Sequence, residues 1–150
     1  MLERKTTARG IIYRDGKLFL QKLKHSDGVN DFWSTPGGKL DPCESIVNGV
    51  SRELIEETGV APKVGRLLFV QQFLDKDVEF TEFFFHIENP EDYESIDLSA
   101  TSHGELEIAH FGFVDPKNEH VLPRFLSDID LDDCIQNIKP VYFYHEAREG

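Results

Sequence analysis

The sequence predicts an α/β fold on three observations. A hairpin signal, Asp15-Gly16, sits between two β-rich runs. One amphipathic segment ends at Gly59, and two long Val-, Leu- and Phe-rich runs lie between Lys63 and Glu88. Strand-forming segments thus stand on both sides of a helix.

Thr6 to Leu23 reads as a hairpin turning at Asp15-Gly16, a dipeptide suited to tight turns. Lys24 to Asp31 is polar, with Gly28 and Asn30, and reads as a loop leading to Phe32-Trp33 and the turn-forming Pro36-Gly37-Gly38. Two helix starts are open. Either Asp41 is the N-cap, with Pro42 as the first helical residue and Glu44 closing a capping box, or Ser45 is the N-cap. Gly59, shortly before Pro62, supplies the stop, because glycine accepts the left-handed conformation beyond a C-terminus.

Lys63 to Glu88 divides at Asp75-Lys76-Asp77 into an expected antiparallel pair, most strand-like in FTEFFFHIE. Residues 89–103 are acidic and irregular, and Leu106 to Val114 returns to β character. Asp115-Pro116 opens an expected helix around 118–127, and PVYFYHE reads as a closing strand. There is no internal repeat, low-complexity segment or dividing linker, so a single domain over 1–150 is expected.

At 150 residues the chain is long enough to bury an ordinary core without staples. Aromatic residues make up 11% and charged residues 29%, a globular profile, and no run of about 18 apolar residues marks a membrane span. The opening MLERKTTARG lacks the apolar stretch of a signal peptide, and Cys43 and Cys134 are too few for a disulfide framework; a cytoplasmic location is expected. A net charge of −12 argues against long nucleic acids, whose binding needs Lys and Arg against phosphates. It leaves room for a small phosphorylated ligand met through a metal ion.

Arg52, Glu53, Glu56 and Glu57 crowd one stretch of the helix. At about 100° per residue, Val47, Val50 and Leu54 form a core face, and the three glutamates gather roughly a quarter-turn away. Glutamates three or four apart on a helix have Cβ atoms about 5–6 Å from each other, a repulsion that a cation would offset. Oxygen ligands suit hard divalent ions, so magnesium, with manganese as a second choice, is the expected cofactor, and no Cys/His spacing favours zinc. A solvated acidic face is the other reading of these glutamates taken alone.

The wider pattern is Gly38, five residues, Glu44, seven residues, Arg52-Glu53-Leu54, one residue, Glu56-Glu57, one residue, Gly59-Val60. It matches every fixed position of the Nudix box, and the sequence resembles the Nudix hydrolase superfamily. The box covers 23 of 150 residues, and the flanking elements are compatible with the family fold. The resemblance implies an α/β/α sandwich with a central mixed β-sheet and metal-dependent hydrolysis of a pyrophosphate bond in a nucleoside diphosphate linked to another moiety. The substrate would be a small nucleotide, such as a nucleotide sugar (ADP-ribose is one) or a nucleoside triphosphate. Many relatives are dimers, so a homodimer is among the assemblies implied. A non-catalytic domain that binds nucleotides or a protein partner is the alternative; such domains typically have damaged boxes, and this box is intact.

Carried over by the resemblance, Glu53, Glu56 and Glu57 are metal ligands, with Glu53 also a candidate base. Arg52 pairs with Glu44 and orients the helix. Gly37 or Gly38 lends a carbonyl oxygen to the metal. Some members take the base from a loop outside the box, which offers Glu105 or Glu107; each also reads as a solvated loop residue. Lys39 reads equally as a phosphate contact or a loop lysine. Trp33, Phe83 and Phe85 are candidates for stacking on a base, or else core, and Arg9 and Arg66 are possible phosphate partners. The positions 15 to 17 residues beyond the box hold Asp75, Lys76 and Asp77, neither the proline of ADP-ribose enzymes nor the tyrosine of the diadenosine polyphosphate group. WSTPGGK leans toward nucleoside triphosphate and nucleotide-sugar hydrolases. Two departures, Cys43 for a frequent glycine and Gly49 for a common alanine, touch no ligand position; Gly49 carries a helix cost of about 1 kcal/mol.

Overall fold

Strand β1 (Glu3–Ile11) lies between partners of opposite sense, and this places the site. In the computed structural model, which describes residues 2–97, 99, 101 and 107–147, β1 runs antiparallel to β6 (Gly37–Lys39) and parallel to β8 (Val78–Ile87). β8 pairs antiparallel with β7 (Val64–Asp75), and β7 parallel with β11 (Tyr142–Ala147). The first sheet is therefore mixed, in the order β11-β7-β8-β1-β6.

A second sheet is built on β3 (Lys17–His25), which pairs with β2 (Tyr13–Arg14), β4 (Gly28–Val29), β5 (Trp33–Ser34) and β9 (Ile108–Val114). β10 (Val121–Leu122) joins β5 in parallel. The α/β class and mixed strand directions agree with the sequence, and the strands divide between two sheets. The hairpin is shorter than Thr6 to Leu23 implies. Asp15 and Gly16 take φ of 51° and 81° and turn β2 into β3, while β1 leaves at Ile12 to pair with β8.

Helix α1 (Ile46–Thr58) starts at Ser45, whose Oγ accepts the Asn48 N–H at 3.1 Å. The earlier start is prevented at Cys43, whose φ of 62° is left-handed and incompatible with an α-helix. Glu44 still accepts the Asp41 N–H at 3.0 Å. Gly59, φ 76°, ends the helix with its N–H on the Ile55 carbonyl. Val50 and Leu54 are fully buried, but Val47 is 46% exposed. The inward stripe instead runs Gly49, Val50, Leu54, Glu57 and Thr58, so a carboxylate is carried inside where Val47 was expected. Gly49 has a packing reason: a Cβ there would lie 2.2 Å from Leu40 Cδ2 and 3.1 Å from Glu44 Oε1.

The antiparallel β7–β8 pair and the closing strand form as the sequence predicts. The helix expected over 118–127 is replaced by β10, a 3-10 turn at Arg124–Ser127 and the short helix α2 (Leu131–Gln136). Pro123 is the cause, because it lacks an N–H and biases Leu122 toward extended backbone. Two apolar clusters result. One gathers Ile11, Leu20, Phe69, Phe84 and Leu131; the other places Ile12, Phe19, Phe85 and Ile87 against Val50 and Leu54 of α1. Among the described residues no helix is long and apolar enough to cross a membrane.

Candidate active site

Two bonds fix which backbone groups of the glycine turn face α1. Gly10 N–H reaches the Pro36 carbonyl at 2.9 Å and Leu40 N–H the Thr6 carbonyl at 3.0 Å. In the register Ala8↔Gly38, the antiparallel alternation then turns Gly38 toward Ala8 and leaves Gly37 and Lys39 free to point away. Gly37 donates its N–H to Glu57 Oε2 at 3.0 Å, its carbonyl accepts from Arg9 Nη1 at 3.5 Å, and the Lys39 carbonyl accepts from Arg52 Nη2 at 3.1 Å. Gly37 has φ of 136° and lies so close to β1 that a Cβ would fall 2.2 Å from the Ala8 carbonyl oxygen. At Gly38 a Cβ would sit 2.6 Å from Glu53 Oε2, so the absent side chain is the space that this carboxylate occupies.

Arg52 holds the acidic face together. Its Nε and Nη2 donate to Glu44 Oε2 and Oε1 at 2.7 and 3.0 Å, a bidentate pair, while Nη1 reaches Glu53 Oε1 at 3.0 Å and Glu56 Oε2 at 3.1 Å. The hydrogen bonds from Arg52, and then the Asp41 N–H, hold the Glu44 carboxyl down at about 2. The Arg52 guanidinium is itself pushed above its ordinary value, chiefly by its bonds to Glu44.

Glu57 is buried, and burial pushes its carboxyl up to about 8 against the opposing charge of Arg9 and the Gly37 N–H. Burial raises Glu53 as well, with the Arg52 charge opposing. Arg9 is locked in place: its Nε donates to buried Glu82 at 2.8 Å and its Nη1 to the Thr35 carbonyl at 3.0 Å, while Thr7 also donates to Glu82. Burial works against the Arg9 charge, but Glu82 outweighs it and keeps the guanidinium above its ordinary pKa.

These groups line one open cavity of about 600 Å³. Glu53, Glu56, Glu57 and Arg52 form one wall, Gly37, Gly38 and Lys39 the turn beside it, and Arg9, Gln21, Lys24 and Glu107 are among the other lining residues. Glu105 lies outside the described residues. Trp33 packs half-buried on the first core cluster, with Lys22 Nζ 5.0 Å from its ring centre. Phe83 and Phe85 belong to the second core cluster, and neither lines this cavity. Arg66 donates to the carbonyls of Cys134, Ile135 and Asn137, where a cation suits the C-terminal end of α2. The sequence reading missed Glu82 and Gln21. Gln21 is a polar side chain within a buried apolar run of β3, and that mismatch was its available signal.

The donor set fits a hard divalent cation. It is all oxygen, two of its carboxylates are driven toward protonation by burial, the Gly38 backbone leaves space for Glu53, and buried Gln21 Oε1 on the same cavity has no partner among the described residues. No three His, Cys, Asp or Glu side chains among the described residues are drawn onto a single point; Arg52 is instead the cation between Glu53 and Glu56.

A family model described as NUDIX domain matches residues 3–128. Over 68 residues, 45% of this chain and 40% of the relative, the sequence is 41% identical to an ADP-ribose pyrophosphatase of Methanocaldococcus jannaschii. It is 37% identical over 51 residues to an 8-oxo-dGTP diphosphatase of Buchnera aphidicola, covering 34% of this chain and 39% of that one. The matched stretch spans less than half the length of these two curated relatives. The crystal structure of a MutT NUDIX hydrolase from Burkholderia pseudomallei superposes with a TM-score of 0.67 at 20% identity, over 84% of this chain and 97% of that one, which shows a shared fold.

Proposed function

Because the chain belongs to the NUDIX domain family, we propose that it hydrolyses the pyrophosphate bond of a nucleoside diphosphate linked to another moiety, with magnesium or manganese as cofactor. The observation that carries this reading is the shared wall. The α1 carboxylates and the backbone of the glycine turn line the same cavity as the cationic side chains of Arg9, Lys24, Lys39 and Arg52. Nucleotide sugars and nucleoside triphosphates are the two substrate classes proposed, and the names of the two curated relatives fall in the same two classes.

Glu53, Glu56 and Glu57, with a carbonyl of Gly37 or Gly38, would hold the cation. Bound there, a divalent ion neutralises phosphate oxygens and lowers the pKa of a water. Arg52, anchored on Glu44, keeps Glu53 and Glu56 on one side of the cavity and so acts as a positioning residue. Glu53 is the proposed acceptor of the water's proton, and Glu107, on the same cavity, is the second candidate. Arg9 is fixed by Glu82 and meets a phosphate without first losing rotamer freedom. Lys39, on the exposed rim, meets one as a mobile point charge.

The test is turnover of a panel of nucleotide sugars, nucleoside triphosphates and dinucleoside polyphosphates, with magnesium, manganese or chelator, and product identification. Chelator-sensitive release of a mononucleotide supports the reading. Silence across the panel from folded protein that binds the metal contradicts it and favours a nucleotide-binding domain.

A further inference from the structure

Gln21 is a polar side chain in the buried part of β3. It is 1% exposed and follows Leu18, Phe19 and Leu20, which are all buried. Strand alternation puts it on the same face as Phe19, which packs with Val50 and Leu54 of α1. Gln21 meets the same helix at Glu57. Burial disfavours the Glu57 carboxylate, and a hydrogen bond from the Gln21 side chain acts against that burial, as do the Arg9 charge and the Gly37 N–H.

A carboxylate only accepts, so the Gln21 amide gives its N–H to Glu57 and keeps its oxygen for another partner. That oxygen, Oε1, is one of two buried side-chain polar atoms without a partner among the described residues. A leucine would continue the apolar run without an orphaned acceptor. An unpaired buried oxygen costs stability unless a ligand brings it a donor. Gln21 lines the same cavity as Glu53, Glu56 and Glu57, and their charge favours a cationic donor there over an anionic one. A hydrated divalent ion meets both demands, since its charge suits the carboxylates and its water supplies O–H groups.

We propose that Gln21 positions Glu57 as a metal ligand and that its Oε1 accepts a hydrogen bond from a water of the hydrated cation. Gln21 touches neither the metal nor the reacting phosphate in this assignment, so it is a positioning residue. The inference rests on the reading of Glu57 as a metal ligand, and it concerns binding of the ion without nucleotide or turnover.

The experiment measures manganese affinity by water-proton relaxation, and magnesium affinity by competition with manganese, for the wild type, Gln21→Leu, Glu57→Gln and the double variant. Gln21→Leu should weaken both ions roughly tenfold, the scale of one hydrogen bond to a charged group. Magnesium should lose the larger factor, because it keeps more of its water. In chelator the melting temperature of Gln21→Leu should hold or rise, which separates this role from a structural one. Gln21→Met removes the same amide on an unbranched chain and should reproduce the loss. In the Glu57→Gln background, Gln21→Leu should cost no more than about twofold, because the two residues act on one site.

Unchanged affinity for both ions in folded Gln21→Leu or Gln21→Met overturns the proposal. So does a full tenfold loss added on top of Glu57→Gln, and so does loss of the fold in both Gln21 variants, which would make the residue structural. The metal reading fails separately: it falls if Glu57→Gln binds manganese as tightly as the wild type, whatever Gln21 does.

Discussion

Arg52 Nε donates to Glu44 Oε2 at 2.7 Å across eight residues of sequence, and the other arm of the same guanidinium reaches Glu53 and Glu56. One cation thus ties the turn before α1 to the acidic face of the helix. Arg52→Lys keeps the charge and loses the fork, since one ammonium cannot hold Glu44 bidentately while reaching two further carboxylates. Turnover should fall about 10²-fold, the scale of a small misplacement of reacting groups, with far-UV circular dichroism unchanged. Glu44→Gln should cost a similar factor, and the double variant little more, because both act through one network. Additive losses would show that the two residues act separately.

The two glycines of the turn should respond differently to alanine. At Gly38 the obstructing atoms belong to the flexible Glu53 side chain, so Gly38→Ala displaces a carboxylate and should lower turnover at least tenfold with little change in melting temperature. At Gly37 the obstruction is the Ala8 backbone and φ is 136°, so Gly37→Ala should cost about 2–3 kcal/mol or more in urea unfolding. Equal stability of the two variants contradicts this assignment.

Glu57 gives the fold a pH dependence of definite sign. Its carboxyl ordinarily titrates at 4.5 and is pushed up to about 8 by burial, so the folded chain retains a proton that the unfolded chain has released. Its contribution is fully present below 4.5 and is lost as pH rises toward 8. Glu44, held down at about 2, acts in the opposite sense: its contribution is present above 4.5 and lost as pH falls toward 2. In chelator, the melting temperature of the wild type should therefore drop relative to Glu57→Gln between pH 5 and pH 8, and saturating magnesium should raise it more at pH 8 than at pH 5. Parallel curves for the two proteins would remove Glu57 as the cause.

The acidic face was legible because its residues are helix neighbours, and a helix converts sequence spacing directly into proximity. The antiparallel β7–β8 pair was legible for a similar reason, since the turn at Lys76-Asp77 joins adjacent strands. Arg9 could be named from the sequence, but its partner Glu82 is 73 residues away, and only the β1–β8 register brings them together. Phe83 and Phe85 pack with a core cluster, while Phe73 and Phe80, opposite each other in the β7–β8 register, line a cavity. Of the two helix starts left open, one backbone angle at Cys43 decided for Ser45, and Val47 faces outward while the helix buries Glu57. Neither follows from periodicity, since each depends on what α1 packs against.

Glu57→Gln keeps an oxygen for the Gly37 N–H and removes a charge that burial disfavours. The fold should persist, and without divalent ions at pH 8 the variant should melt no lower than the wild type. Turnover should fall by about 10²–10³-fold, the scale of losing one electrostatic partner of the reacting phosphates. Full activity in Glu57→Gln, or an unfolded variant, would contradict its role.

Manganese binding measured by water-proton relaxation, on the wild type and on Glu57→Gln at pH 8, tests the central claim most directly. Saturable binding to the wild type that weakens at least tenfold in Glu57→Gln, in step with the loss of turnover, is the predicted result. Equal manganese affinity in the two proteins would place the ion away from the α1 carboxylates and contradict the assignment of this helix as the catalytic metal site.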